Sequence, residues 1–243
     1  MIKRLISPNE LAELPCVGME VQKIHALLNA YGTKYDFCRF YSHGCGGFLS
    51  EMDGSYVLYR GQQTDYEELA QFLLTNGFVE LFCAEEDGDA LGELIGAECI
   101  RINEMLFSGV CACANTKIDC APSLCEVYFI LKTAFEIDFD SWYTDMSHRI
   151  RHGVSQFRRL SQSVLAIQHD FCGEALISQV ATHPDYREQG TASRLVGAVC
   201  AELSPSRVYV LCEDSLVPFY KKIGFEQTSV KCLLRQSGLL LNR

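Results

Sequence analysis

Apolar and polar positions alternate with the clearest rhythm in the second half of the chain. In Thr191–Leu203, Ala192, Leu195, Val196, Val199 and Leu203 recur at helical spacing and share one face. Arg207–Cys212 is nearly all apolar, as expected of a strand covered on both sides. Between them Ser204, Pro205 and Ser206 stop the helix. Upstream, Gln156–Leu160 and Ser163–His169 read as paired strands, and the turn His169–Gly173 leads to a third, Ala175–His183. Phe139–Arg151 reads as a helix with Asp138 or Asp140 as its cap, and Glu126–Lys132 reads as a strand because it is aromatic and β-branched. After Cys212, Asp214 and Ser215 can cap a helix running to Ile223, with Pro218 in its first turn and Gly224 as its terminator. Phe225–Leu234 then begins a last strand. The predicted order is strand, helix, several strands, helix, strand, helix, strand, which is a mixed α/β layout.

The first half is less regular. Val21–Asn29 and Tyr66–Thr75 look helical, and Phe37–Tyr41, Gly47–Ser50 and Ser55–Arg60 look extended. Leu73–Cys83 (LLTNGFVELFC) repeats the helix-Gly-Phe-strand rhythm of Lys221–Val230 (KKIGFEQTSV), a faint sign of internal duplication. Phe107–Leu124 lacks periodicity and gathers Gly, Pro, Ser and Cys. The expected division is an N-terminal α/β lobe over 1–106, a cysteine-containing linker over 107–124, and a C-terminal domain over 125–243.

With 243 residues, 48% of them hydrophobic and 21% charged, the chain can bury a sizeable core. A net charge of −10 argues against broad nucleic-acid binding, which needs clustered cations, and tilts toward a basic or amine-bearing partner. No apolar run is long enough to span a bilayer, and MIKRLISPNELAELP lacks the apolar stretch of a secretion signal, so a cytoplasmic protein is expected. Thirteen cysteines without such a signal read as reduced thiols used as small buried groups. Cys111, Cys113, Cys120 and Cys125 lack the short Cys-x-x-Cys spacing and histidine partners of a zinc site, so no metal is expected there.

Chemistry concentrates at Thr182–Leu195, THPDYREQGTASRL. After an apolar strand and a proline turn, Arg187, Gly190 and Ala192 stand at Arg-x-x-Gly-x-Ala spacing where a helix begins. A helix N-terminus has unpaired N–H groups and partial positive charge, and small residues there let an anion come close. Neither a Walker loop nor Gly-x-Gly-x-x-Gly is present, so the stretch has a logic of its own. About thirty residues later stands Pro218–Glu226, PFYKKIGFE. Together these two motifs resemble the signature of the GNAT (Gcn5-related N-acetyltransferase) family. The resemblance covers roughly the last half of the chain.

It implies a mixed, mostly antiparallel central sheet flanked by helices, the GNAT-like acyl-CoA acyltransferase fold, with acyl-CoA lying where two strands splay apart. Carried over by position, Gln189, Gly190, Thr191 and Ala192 would cradle the pyrophosphate through their backbones, with Arg187 and Glu188 in the same turn and Ser193 adding a donor. Val180, Ala181 and Thr182 would pair with the pantetheine arm, and a backbone N–H near Val180 or Ala181 would face the oxyanion. Tyr220 takes the position that protonates the departing CoA sulfur. The base is open: Glu174 is the first candidate, and His169 and His183 titrate in the useful range. Glu213 departs from the asparagine that many relatives carry. The N-terminal lobe lacks the Arg-x-x-Gly-x-Ala turn. It is read as a degenerate GNAT-like repeat, against an unrelated substrate-binding or dimerising domain. The implied activity is N-acetyl transfer from acetyl-CoA to the amine of a small molecule or peptide by direct attack. The rival is an acyl-CoA-binding sensor with little turnover. Acceptor, acyl preference and oligomeric state, homodimer included, leave no signature in the chain.

Overall fold

The computed structural model describes residues 1–109 and 116–236. The chain divides into one compact unit of Met1–Asn103 with the segment from Ser229 onward, and a second of Glu104–Thr228.

The first unit begins with β1 (Lys3–Leu5) and α1 (Met19–Tyr31). Three antiparallel strands follow, β2 (Cys38–His43), β3 (Gly47–Met52) and β4 (Ser55–Tyr59). The chain continues as α2 (Tyr66–Asn76), β5 (Glu80–Ala84), α3 (Glu85–Ile95) and β6 (Ala97–Phe107). β4 and β5 run parallel, joined by α2 as a βαβ crossover. The core gathers Leu58, Leu69, Leu73, Leu81 and Leu91, all 1% exposed or less. β5 is bordered on its other side by the end of β11 (Phe225–Gln236), antiparallel, with Cys232 opposite Cys83.

In the second unit come α4 (Leu124–Leu131), α5 (Phe139–Arg151), β7 (Gln156–Leu160), β8 (Ser163–Phe171), β9 (Glu174–Thr182), α6 (Thr191–Glu202), β10 (Arg207–Cys212) and α7 (Val217–Ile223). β7, β8 and β9 form an antiparallel meander, and β10 joins β9 in parallel. α6 buries Leu195, Val196, Val199, Cys200 and Leu203 against Ala175, Ile177, Val208 and Val210. Each fully buried aliphatic of that size contributes about 1.5–3 kcal/mol. The opposite face is covered by α4 and α5 through Val127, Ile130, Leu131, Trp142 and Met146.

The order β4-α2-β5-α3-β6 in the first unit is repeated by β9-α6-β10-α7-β11, each with its first strand pair parallel. The last strand of each series then leaves for the other unit. The boundary between units falls inside both β6 and β11. In the second unit, Ser108 N donates to Gly224 O at 2.9 Å and Thr228 Oγ1 donates to Glu104 Oε1 at 2.8 Å, tying the end of β6 to the start of β11. A linear division at 1–106, 107–124 and 125–243 does not describe this exchange of closing strands.

Three sequence expectations need correction. Glu126–Lys132 is helix, not strand. Val127, Ile130 and Leu131 are buried at i, i+3 and i+4 while Phe129 is 59% exposed, so helical periodicity overrides β-propensity. α3 and β6 are two further elements that the pattern did not announce, although α3 carries an acidic first turn (Glu85, Glu86, Asp87) and a left-handed Gly96 at its end. Finally, Cys99 and Cys232, far apart in the sequence, are brought side by side with their Cα atoms 6.0 Å apart, a juxtaposition the pattern did not announce. Cys120 and Cys125 are free and exposed, while Cys111 and Cys113 lie outside the described residues.

Candidate active site

The parallel ladder between β9 and β10 covers only Glu174–Ile177 against Arg207–Val210. Beyond it β9 continues for five residues without β10 beside it. The divergence has a local cause. Ala166 opposes Ser178 and Val164 opposes Ala181, so Gln179 and Val180 together face Leu165 alone. This bulge puts Gln179 at φ 49°, a left-handed conformation rare for a residue with a side chain.

Where the strands part there is a cavity of about 570 Å³. Val180, Ala181 and Thr182 of β9 line it, together with the whole turn from Arg187 to Ser193 and Tyr220 of α7. Every cofactor residue expected from the sequence therefore lines one cavity. Ala134, Tyr186, Leu216, Phe219 and Lys222 complete the wall, and their place in it has no signature in the chain.

The turn is shaped to receive an anion. Glu188 at φ 63° and Gly190 at φ 69° are left-handed residues two apart, an arrangement that gathers backbone N–H groups into a concave nest. Gly190 is the N-cap of α6, and no side chain caps that helix. A Cβ built on Gly190 would meet nothing within 4 Å, so the ground before the helix is open. Arg187 Nε donates to Thr182 O at 3.3 Å, and the Ser163 and Thr182 hydroxyls share a 2.7 Å hydrogen bond that steadies the end of β9.

The corresponding turn of the first unit is built differently. Asp65 caps α2 by accepting from Glu68 N at 3.0 Å, so a carboxylate already occupies that helix N-terminus. Glu67 and Glu68 add charge to the same turn. A Cβ on Gly61 would collide with the backbone of Cys45 and Gly47.

Tyr220 is 4% exposed, and burial, with Cys212 nearby, holds its phenol above the ordinary value of 10. It stays protonated across the neutral range, and its hydroxyl makes no hydrogen bond to a described residue. Glu174, the expected base, is not brought to this cavity. It sits in the intact part of the ladder, 5% exposed, and accepts from Tyr209 Oη at 3.2 Å and Arg207 Nη1 at 3.5 Å. Burial, with Glu174 next, pushes the Tyr209 phenol up to about 12. His169 is buried on β8, His183 lies beside Asp185 at 3.7 Å, and Glu213 is exposed.

Residues 159–227 match the family model for an acetyltransferase (GNAT) domain. The chain carries a GNAT domain. Part of the chain is 35% identical over 72 residues to serotonin N-acetyltransferase of Mesocricetus auratus, covering 28% of this chain and 35% of that enzyme, so the match spans about a third of the relative. Among solved structures, a GCN5-related N-acetyltransferase from Kribbella flavida aligns with TM-score 0.65 at 13% identity, over 90% of this chain and 94% of its own. A tandem GNAT protein from the clavulanic acid biosynthesis pathway aligns with TM-score 0.57 at 10% identity, over 97% and 98%. At such identities the structural matches speak for the fold. The matched GNAT segment runs from β7 into β11 and includes the cavity turn and Tyr220. No helix among the described residues is long and apolar enough to cross a membrane.

Proposed function

We propose that the protein transfers an acetyl group from acetyl-CoA to an amine by direct attack. The reading rests on one observation: the open N-terminus of α6, the end of β9 beyond its β10 ladder and Tyr220 all line a single cavity. The N–H groups of Gln189, Gly190, Thr191 and Ala192 would hold the pyrophosphate, with Ser193 as a further donor. The strand edge Val180–Thr182 would pair with the pantetheine amides. The amine nitrogen attacks the thioester carbonyl carbon while a β9 N–H stabilises the oxyanion. The C–S bond then breaks, the sulfur takes the Tyr220 proton, and the amine gives its own proton to water. Glu174, already engaged by Tyr209 and Arg207, would reach that centre only through intervening groups.

The acceptor is an amine of a small molecule or peptide. The similarity to serotonin N-acetyltransferase puts serotonin in the first panel, beside polyamines, aminoglycosides and lysine peptides, which suit the acidic chain. The readout is CoA-thiol release with each amine. Release above the amine-free rate with at least one is expected; firm acetyl-CoA binding without release from any would sink the reading. A sensor lacking turnover is less favoured, because the phenol the reaction needs stands in the cavity. Since Asp65 fills the only comparable turn among the described residues, calorimetry should count one acetyl-CoA per chain. Two sites would contradict the contrast between the two turns.

A further inference from the structure

Three neighbouring strands of the first unit each bring a cysteine to the same place. β11 runs between β5 and β6. Cys232 of β11 stands opposite Cys83 in the β5 register, and its Cα is 6.0 Å from that of Cys99 on β6. Two cysteines at that separation can be joined without moving the backbone. α3 leaves room for the central side chain. A Cβ built on Gly88 would collide with Cβ and Sγ of Cys232, and Cys83 Sγ lies 3.6 Å from the same point. The three differ in access. Cys83 and Cys232 are fully buried, whereas Cys99 is half-buried and is the member a reagent in solution can reach. Burial pushes the Cys83 thiol above its ordinary value, so it stays protonated and is a poor nucleophile.

The position of the pair along the chain gives it a consequence. The second unit is Glu104–Thr228, and the first contains the chain on either side of it. Cys99 stands just before that stretch and Cys232 just after it, 133 residues further on. A bond between them closes the chain of the second unit into a ring.

We propose that Cys99 and Cys232 form a reversible disulfide, set by the thiol–disulfide balance around the protein, that staples the chain where it enters and leaves the second unit. The inference is independent of acetyl transfer. The bond forms in two exchanges with a low-molecular-weight disulfide such as glutathione disulfide. The Cys99 thiolate attacks one glutathione sulfur, the S–S bond breaks, and one glutathione leaves and takes up the proton that Cys99 gave up. Cys232 then attacks Cys99 Sγ in the mixed disulfide, and its proton passes to the second glutathione as that leaves. Two protein thiols are oxidised and one glutathione disulfide is reduced to two thiols. The ring restricts the unfolded chain far more than the folded one, so the oxidised form resists unfolding better.

The test uses the full wild-type chain, equilibrated in glutathione buffers from fully reduced to fully oxidised, quenched in acid and unfolded in N-ethylmaleimide. Peptide mapping by mass should show a Cys99–Cys232 cross-link replacing two alkylated sites as the oxidised fraction rises, and dithiothreitol should reverse it. A Cys83–Cys232 link, glutathione retained on Cys99, or both cysteines alkylated throughout overturns the pair without any variant being made. In scanning calorimetry the oxidised chain should melt about 10 °C above the reduced one, the loop-closure effect of so long a ring. Cys99→Ser, which leaves Cys232 packed beneath Gly88, should abolish that difference. A cross-linked chain that melts no higher than the reduced one overturns the staple. So does a difference that survives in Cys99→Ser, because other thiols then carry it.

Discussion

Replacing Gly190 with glutamate is expected to lower acetyl-CoA affinity by about three orders of magnitude, as two like charges about 4 Å apart near a protein surface repel by about 4 kcal/mol. The position concentrates several effects. Gly190 caps α6 with a backbone no side chain assists, and the space before it is open. A carboxylate there would take the place of the anion and satisfy the same N–H groups, as Asp65 does for α2. The left-handed φ of 69° adds a backbone penalty, which Gly190→Asn shares in reduced form because asparagine tolerates that region without a charge. Calorimetry on both variants separates the causes. A large loss for glutamate with a small one for asparagine identifies charge at the cradle. Equal losses indict the backbone alone, and unchanged affinity in Gly190→Glu removes the cradle from the proposal.

Tyr220→Phe should lower kcat by about two to four decades while acetyl-CoA affinity and Tm change little. The hydroxyl has no hydrogen bond to a described residue, so removing it leaves no orphaned partner, and the ring keeps its packing on Phe219 and Phe225. The sign of the pH dependence follows from burial. A phenol held above its ordinary value of 10 remains a proton donor beyond that pH. Wild-type kcat should therefore rise as the amine loses its proton and show no alkaline decline up to about pH 10. A descending limb centred near neutrality would point to another proton donor, and a Tyr220→Phe enzyme with near wild-type kcat would exclude this one.

The shape of the cavity turn was legible because it depends on local order. Arg187, Gly190 and Ala192 announce a helix start stripped of bulk, and the apolar face of α6 from Leu195 to Leu203 fixes which way that helix lies. The helix that carries Tyr220 was legible for the same reason, through Pro218 at its start and Gly224 at its end. What escaped depends on partners distant in sequence. The bulge at Gln179 exists only in register with Leu165, and nothing in EALISQVAT marks it. α4 misled because its buried face, Val127, Ile130 and Leu131, is made of residues that suit strands equally well. Glu174 looked available as a base because the chain does not reveal Tyr209 and Arg207 lying across from it.

The exchange of closing strands bears on how the chain comes into being. Synthesis from the N-terminus delivers β5 within the first 84 residues, yet the strand that borders it, Lys231–Arg235, emerges only after the whole second unit. For most of that interval one edge of the sheet stays bare, and bare edges invite wrong neighbours. Neither series of strands is closed by one unit alone, so a deletion in the codons of β11 removes Phe225 from the core of the second unit and Cys232 and Leu234 from that of the first.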